Sequence, residues 1–225
     1  MPNIRSTTLP RVLGCLAGLL IVKVTVGIVL KYRDYLPPNF SSDFLQGRES
    51  YFFGSYRWAF YTHIASGPVA LLLGLVLVNE PFRLRYPNWH RALGRVQAVG
   101  VLFIVAPSGL WMAFRAATGP VAVVGFATLA VATGTSVALG WRAAVKRRFA
   151  EHRRWMWRCY LLLCSAVVLR LIVGLTLVTG FQADWLDPTM AWASWLLPLV
   201  AFELTGAGRR RASAQCLTAK CAGSK

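Results

Sequence analysis

Three histidines and two arginine-rich turns are the residues of this sequence most able to carry chemistry. An imidazole can ligate a metal ion, relay a proton or hydrogen-bond across a packed interface. Two of the histidines each precede an arginine, in turns that also contain tryptophan. Tryptophan interleaved with arginine is typical of a lipid headgroup layer, and such a turn alternatively forms a basic pocket for a phosphate or carboxylate. The candidate ligand-binding side chains in these turns are His90, Arg91, Arg95, His152, Arg153, Arg154 and Arg158.

Arg170 is a further candidate because it stands in the middle of an apolar run. A charge at that depth costs roughly 2.5–3.5 kcal/mol on insertion scales. Small residues four positions away, Ala166 and Gly174, predict that its helical face packs against protein. Two kinds of partner stay open for Arg170: the carboxylate of Glu203 with backbone carbonyls, or an anionic or carbonyl-bearing ligand. Lys23 also lies within an apolar run, and we expect it to snorkel to the membrane surface.

His63 shares one helical face with a stripe of small residues, Gly67, Ala70 and Gly74. Such a stripe is a close-packing surface between membrane helices. We therefore expect His63 to face another helix. It is either a neutral imidazole hydrogen-bonded across that interface, or a ligand-binding or proton-relay group.

Neither a metal site nor a catalytic set is predicted. Three histidines and eight acidic residues are present, without an HExxH, GxGxxG or P-loop pattern. A haem b held by two histidine ligands would need those histidines to face each other. The expected spans leave His90 and His152 outside the hydrocarbon and His63 near the opposite face. We therefore expect no cofactor and no enzyme, with a haem held by His90 and His152 as the alternative.

The elements that position these groups must be membrane helices. Of 225 residues, 56% are hydrophobic and 15% are charged, against about 25% charged residues in a soluble domain. Several apolar runs exceed the roughly 18 residues that mark a membrane span. We predict an all-α polytopic membrane helix bundle forming one domain over 1–208, followed by a basic cytoplasmic tail, 209–225, that is disordered. The about six predicted transmembrane helices are 12–30, 58–78, 96–114, 120–141, 159–180 and 189–206.

The basic residues predict an orientation and partners. The formal net charge is +17. If the N-terminus is inside, the inside segments contain eighteen Lys and Arg residues and the outside segments contain five. The positive-inside rule then places both termini in the cytoplasm of a bacterial plasma membrane. Anionic lipid headgroups at the cytoplasmic face are the expected partners, with self-association as a further expectation. Since no nucleic-acid-binding pattern is present, we expect no nucleic acid partner.

Two helical hairpins have the spacing of a duplication. One begins at residue 58 and the other at 120, and each reaches a His-Arg pair 32 residues later, so the offset is 62 throughout. Both hairpins begin on the same side, which predicts a parallel repeat. The alternative is a coincidence between two basic loops.

Several segments of the chain resemble a bacterial predicted-membrane-protein family known as a domain of unknown function. The resemblance covers roughly 55–175 and implies a shared multi-helix fold, without implying an activity. Two positions depart from the family pattern: Leu75 stands where a proline is common, and Gln97 where a tyrosine is common. The segments that carry the resemblance are His63–Gly74, the HRxxGR motif within Trp89–Val96, the HRRWMxRxY motif His152–Tyr160, and Leu169-Arg170.

Three functions remain open from the sequence. The leading hypothesis is a non-enzymatic membrane protein that binds or moves a small anionic or amphiphilic molecule. The second is a quinone- or haem-linked membrane redox component. The third is a structural or assembly partner without a ligand. An optical spectrum separates the redox hypothesis from the others, and mass spectrometry of co-purifying molecules separates a binder from a scaffold.

Overall fold

The computed structural model describes residues 5–42, 44–181, 183 and 185–222, with side chains described over 12–42, 44–181, 183 and 185–206. All regular structure in these residues is helical. The first helix is extended by a 3-10 turn, Lys31–Tyr35, and α2 and α4 contain the π-turns Phe52–Tyr56 and Val101–Val105. The helices are α1 Arg5–Leu30, α2 Glu49–Val78, α3 Glu80–Arg85, α4 Pro87–Ala113, α5 Pro120–Val145, α6 Phe149–Thr179 and α7 Leu186–Ala222.

Five of these helices are long and apolar enough to cross a membrane, which confirms the all-α, multi-pass class. Four of them begin earlier than the apolar runs predict, most clearly at Glu49, Pro87 and Phe149, whereas α5 begins at Pro120 as predicted. A helix continues as long as its backbone hydrogen bonds do, whereas an apolar run stops at the first charge. The sixth predicted span, 189–206, lies within α7 and stays a prediction, as does disorder in the tail. Residues 223–225 of that tail lie outside the described part of the chain, and so do the side chains of 207–222.

Proline and glycine set several of the helix boundaries. Pro87 and Pro120 each occupy the first turn of a helix. A backbone N–H in this turn has no acceptor within the helix, so proline, which lacks the N–H, breaks no hydrogen bond there. Gly180 ends α6 in the left-handed conformation with φ of 67°, the usual role of glycine beyond a helix C-terminus. The side chain of Asn79 accepts a hydrogen bond from Phe82 N at 3.3 Å and thereby caps α3.

The core of the bundle lies among α2, α4, α5 and α6. Small residues bring these helices close together, since a Cβ added at Gly74 would stand 2.7 Å from the ring of Tyr160. A Cβ at Gly140 would stand equally close, at 2.7 Å, to the sulfur of Met156. One buried cluster at the centre consists of Ala70, Ala98, Val101, Val105, Val137 and Cys159.

The first and last helices pack on the outside of this core. One face of α1 contacts the bundle through residues such as Gly18, Ile21 and Thr25, and Lys23 is exposed as expected. Helix α7 packs on α5, where Trp192 Nε1 donates to the carbonyl of Val121 at 3.1 Å. Most of the described side chains of α1 are therefore exposed.

The connection 31–57 forms an aromatic cap over one end of the bundle. Its buried centre is Leu45, Phe52 and Tyr56, together with Phe60 of α2. This end is called the loop end, and the opposite end, which carries 79–95 and 142–158, is called the basic end. Hydroxyl groups join the cap to α2, because Tyr61 donates to Tyr35 O at 2.8 Å. The connection is thus a packed element that can form one wall of a site.

Candidate functional site

A cavity of about 500 Å³ opens at the loop end between the start of α2 and the end of α4. Its wall combines four aromatic rings, two serine hydroxyls, a glycine and one guanidinium group. The cavity is open to the surface, because Trp111 and Phe114 keep 52% and 63% of their surface exposed. This feature is called the loop-end pocket, and its lining residues are Ser50, Tyr51, Gly54, Ser55, Tyr56, Trp111, Phe114 and Arg115.

The π-turn of α2 shapes one wall of the loop-end pocket. Gly54 leaves the helical conformation with ψ of −148°, and no atom lies within 4 Å of the position of a Cβ there. Ser55 follows it and is exposed. A π-turn inserts one extra residue into a helix and is frequent at functional sites. Here it places a short stretch of accessible backbone and one hydroxyl beside the cavity.

Arg115 supplies the positive charge of the loop-end pocket. Its guanidinium carbon lies 4.9 Å from the ring centroid of Tyr51, a cation–π contact. No carboxylate among the described residues forms an ion pair with Arg115. A guanidinium beside exposed aromatic rings is suited to an anion that carries an apolar body.

None of the residues selected from the sequence lines this pocket. In the sequence, Arg115 is one of the five basic residues in the predicted outside segments, and 31–57 is the connection between the first two predicted spans. The segment Trp111–Arg115 was a usable signal, because two aromatic residues and a cation end an apolar helix there. Its proximity to Ser50–Tyr56 depends on the fold, and no periodicity in the sequence encodes it.

His63 lies between α2 and α4, below the loop-end pocket. Its Nδ1 is 3.1 Å from Ser108 Oγ, and that hydroxyl donates its one hydrogen to Ile104 O at 2.6 Å. The imidazole therefore hydrogen-bonds across the interface between α2 and α4, to Ser108 and to the backbone of Val105. The ring also lies against Gly109, where an added Cβ would be 3.0 Å from Cε1. The small-residue stripe thus predicted the packed environment of His63 correctly.

Tyr56 in the pocket wall and His63 are seven residues apart on α2, about 10 Å along a helix. The same two helices therefore hold the pocket and the imidazole beneath it.

Arg170 occupies a different place from the one that the sequence favours. Its residue is exposed, and Nη1 donates to the carbonyl of Ala166 at 3.1 Å. Its charge acts on Tyr32 and Tyr35 at the end of the first span. Thus Arg170 lies beside α1, which packs too loosely to cover it.

Glu203, which was one of the two kinds of partner left open for Arg170, pairs with Arg158. Arg158 Nε donates to Glu203 Oε1 at 2.6 Å, and its guanidinium lies 4.4 Å from the ring of Trp155. Arg158 precedes Arg170 by twelve residues on α6, about 18 Å along a helix. Glu203 therefore lies at the level of the basic end of the bundle, where Arg158 stands on α6. Arg158 is consequently engaged in helix packing.

The basic end brings the two remaining histidines together. His152 Nδ1 lies 2.9 Å from the carbonyl of Gly140, so Nδ1–H donates and Nε2 keeps its lone pair. His90 is an electrostatic neighbour of His152, and its Nδ1 is buried without a hydrogen-bond partner among the described residues. The pair lies at the opposite end of the bundle from His63.

The arginines of the two basic turns do not converge on one point. Arg91 donates to the side chain of Asn88, and its residue is exposed. Arg95, Arg153 and Arg154 are exposed as well. In the described part of the chain, no three His, Cys, Asp or Glu side chains form a group able to hold a metal ion.

A family model described as a predicted membrane protein, DUF2306, matches residues 60–205. The chain belongs to the DUF2306 family. The DUF2306 match begins just after the serines and tyrosines of the loop-end pocket, and it includes the other wall, Trp111–Arg115. It also includes all three histidines and Arg170, and confirms the resemblance found in the sequence. No curated protein and no solved structure matches the chain.

Proposed function

We propose that this protein binds, and moves within the membrane, a small anionic amphiphile that enters the loop-end pocket. The observation that carries the proposal is the guanidinium of Arg115, which no carboxylate of the described residues pairs with, in an aromatic cavity of about 500 Å³. Small-molecule sites are clefts of roughly 300–1,000 Å³ with apolar walls and a few polar groups. The loop-end pocket meets both criteria. The function is non-enzymatic.

The two walls suit the two parts of an amphiphile. Exposed Trp111 and Phe114 offer apolar contact to a tail that reaches the pocket from the surrounding lipid. Arg115, with the hydroxyls of Ser50 and Ser55, offers donors to a carboxylate or phosphate head. A hydrogen bond to a charged group contributes about 1.5–3 kcal/mol. Arg115 therefore supplies the selectivity for an anion.

The proposal extends to the orientation of the bundle. The eighteen-to-five bias of basic residues supports six spans with α7 as the sixth, both termini in the cytoplasm, and a bacterial plasma membrane. The loop-end pocket then opens at the outer leaflet. The equal spacing of the two hairpins supports an origin by duplication, in which His90 and His152 occupy corresponding first turns.

Two of the sequence-derived candidates belong to this proposal as secondary positions. His63, about 10 Å below the pocket, presents its imidazole between α2 and α4 to a ligand that moves inward. Arg170 offers guanidinium donors to an anionic head on the lipid-facing side of α6, where its described hydrogen bond is to a backbone carbonyl.

Mass spectrometry of small molecules that co-purify with the protein tests the proposal. The wild type is compared with Arg115→Gln, which removes the charge, and with Ser55→Leu, which fills the cavity. Arg33→Gln is the matched control, because Arg33 is an exposed arginine at the same end and its Nε donates to Leu30 O.

We expect an anionic amphiphile in the wild type and in the control, and its loss from both pocket variants. An identical set of molecules in all four samples would contradict the proposal. If no molecule is enriched in any sample, the structural or assembly role is favoured instead.

A membrane redox component is the second candidate, favoured by the histidine pair at the basic end. A metal-ligating imidazole usually donates its other ring N–H to a carbonyl or carboxylate, and His152 does so to Gly140. His90 contributes a buried nitrogen that has no described partner. An optical spectrum separates the candidates: a Soret band abolished by His152→Ala would favour the redox role, and a spectrum without cofactor bands is expected if the pocket proposal is correct.

A further inference from the structure

A second, smaller cavity of about 160 Å³ lies at the basic end, where α5 ends and α6 begins. Three of its lining side chains are cationic and one is acidic, so the lining carries a formal charge of +2. It is separate from the loop-end pocket and from the histidine pair. The lining residues are Leu139, Arg142, Ala143, Lys146, Arg148 and Glu151.

A left-handed residue between the two helices builds this cavity. Arg147 has φ of 58°, and the turn around it closes with Arg148 N donating to Ala143 O at 2.9 Å. These hydrogen bonds satisfy the last carbonyls of α5. In this type of helix C-terminus, the left-handed position is usually occupied by glycine. A non-glycine residue in this conformation costs roughly 1–2 kcal/mol. The turn brings Arg148 back beside Arg142 and Lys146.

The cations of this cavity have little to neutralise them. Arg142 and Lys146 form no ion pair or side-chain hydrogen bond with any described residue. Glu151 contacts Arg148 at 3.4 Å, with both side chains about half exposed, and such exposed pairs contribute little. Backbone N–H groups already cap the helix, so Arg142 and Lys146 are not required for that purpose.

We infer that this cavity is a phosphate-binding site, and that the phosphate is a phosphomonoester on a lipid headgroup. A lining charge of +2 matches a phosphomonoester, which carries a charge of about −1.5 to −2 at neutral pH, better than a singly charged phosphodiester. Arginine and lysine side chains supply the donors that phosphate oxygens accept. Basic pockets at the ends of membrane helices are suited to anionic headgroups.

Exposed apolar residues beside the cavity favour a lipid over a soluble phosphate. Trp141, Val145 and Phe149 keep 36%, 70% and 64% of their surface exposed. They lie on the same two helix ends as Arg142 and Lys146, where the acyl chains of a bound lipid would pack. An aromatic ring at this level is also typical of the membrane interface.

Native mass spectrometry of the full chain released from nanodiscs tests this inference. Nanodiscs of phosphatidylcholine contain an equal minor fraction of either phosphatidic acid, a phosphomonoester, or phosphatidylglycerol, a phosphodiester. The variants are Arg142→Gln, Lys146→Gln, and the control Arg85→Gln, which removes one charge from another exposed arginine at the basic end. Thermal unfolding of each variant checks that the fold is retained.

We expect phosphatidic acid to be retained in preference to phosphatidylglycerol. Arg142→Gln and Lys146→Gln should each reduce its retention roughly tenfold, as the loss of about 1.4 kcal/mol implies, and Arg85→Gln should not. Equal retention of the two lipids, or equal loss in all three variants, would overturn the inference in favour of unspecific charge attraction. Displacement of the lipid by millimolar inorganic phosphate would overturn the lipid assignment, and the absence of displacement supports it.

Discussion

The ion pair between Arg158 and Glu203 joins α6 to α7, and its strength can be calculated from its environment. The two side chains keep 22% and 37% of their surface exposed. A fully exposed pair contributes about 0.2–1 kcal/mol, whereas breaking a buried pair costs about 3–5 kcal/mol. The short Nε–Oε1 distance of 2.6 Å and the stacking on Trp155 favour a coupling energy of about 1–2 kcal/mol.

A double-mutant cycle measures this coupling directly. Arg158→Met, Glu203→Gln and the double variant are unfolded reversibly in mixed detergent micelles, and their free energies of unfolding are compared with that of the wild type. Each single variant leaves one charge without its partner, so the double variant should be more stable than the sum of the two losses predicts.

Arg170→Met with Glu203→Gln is the matched control cycle, because it tests the pair that the sequence favours. The two losses should add to within about 0.5 kcal/mol, as they do for residues that are not in contact. A coupling energy for Arg170 with Glu203 that equals or exceeds that for Arg158 would refute the assignment of Glu203 to Arg158.

The remaining predictions concern backbone packing and topology. Gly74→Ala should destabilise the fold by about 1–3 kcal/mol, because the new methyl group overlaps a buried tyrosine ring. Gly94→Ala is its control and should be neutral or stabilising by up to about 1 kcal/mol, since no atom lies within 4 Å of its Cβ position in the helix; thermal unfolding of both variants gives the comparison. Arg147→Gly should stabilise the fold by about 1 kcal/mol in the same measurement, because glycine adopts its left-handed conformation without strain. For topology, a reporter inserted at Ser42 should be active outside the cytoplasm and one fused after Lys225 inside it, and external activity at Lys225 would contradict the orientation.

The class of the fold was predictable because an apolar run long enough to span a membrane can be recognised from consecutive residues alone. Each of the first five predicted spans falls within a helix of the bundle to within one residue, although the helix that contains 159–179 begins at Phe149. The error at that boundary has a physical cause. The segment Glu151–Arg158 is charged and therefore does not belong to the apolar run, but its backbone is helical. This helix continues to Cys164, after which the helix that carries Arg170 follows directly.

The polar contacts were less predictable because they depend on which helices become neighbours. Glu203 lies at the level of Arg158 in the bundle, and their contact depends on α6 and α7 being neighbours. The exposure of Arg170 depends on how loosely α1 packs against α6, and the hydrophobic periodicity of the sequence does not indicate this. The loop-end pocket unites Ser55 with Arg115, 60 positions apart in the chain, so only the fold reveals it.

Binding of a fluorescent anionic amphiphile tests the central claim most directly. The probe is cis-parinarate, and its neutral alcohol is the control ligand. Protein in nanodiscs is titrated with each, and energy transfer from tryptophan, including Trp111 in the pocket wall, reports the bound fraction. We predict saturable binding of the carboxylate, weakened roughly 10- to 100-fold by Arg115→Gln, the loss expected for one charged hydrogen bond, and unchanged by Arg33→Gln. Equal affinities of the wild type and Arg115→Gln for cis-parinarate, or equal binding of the alcohol and the carboxylate, would contradict the proposal.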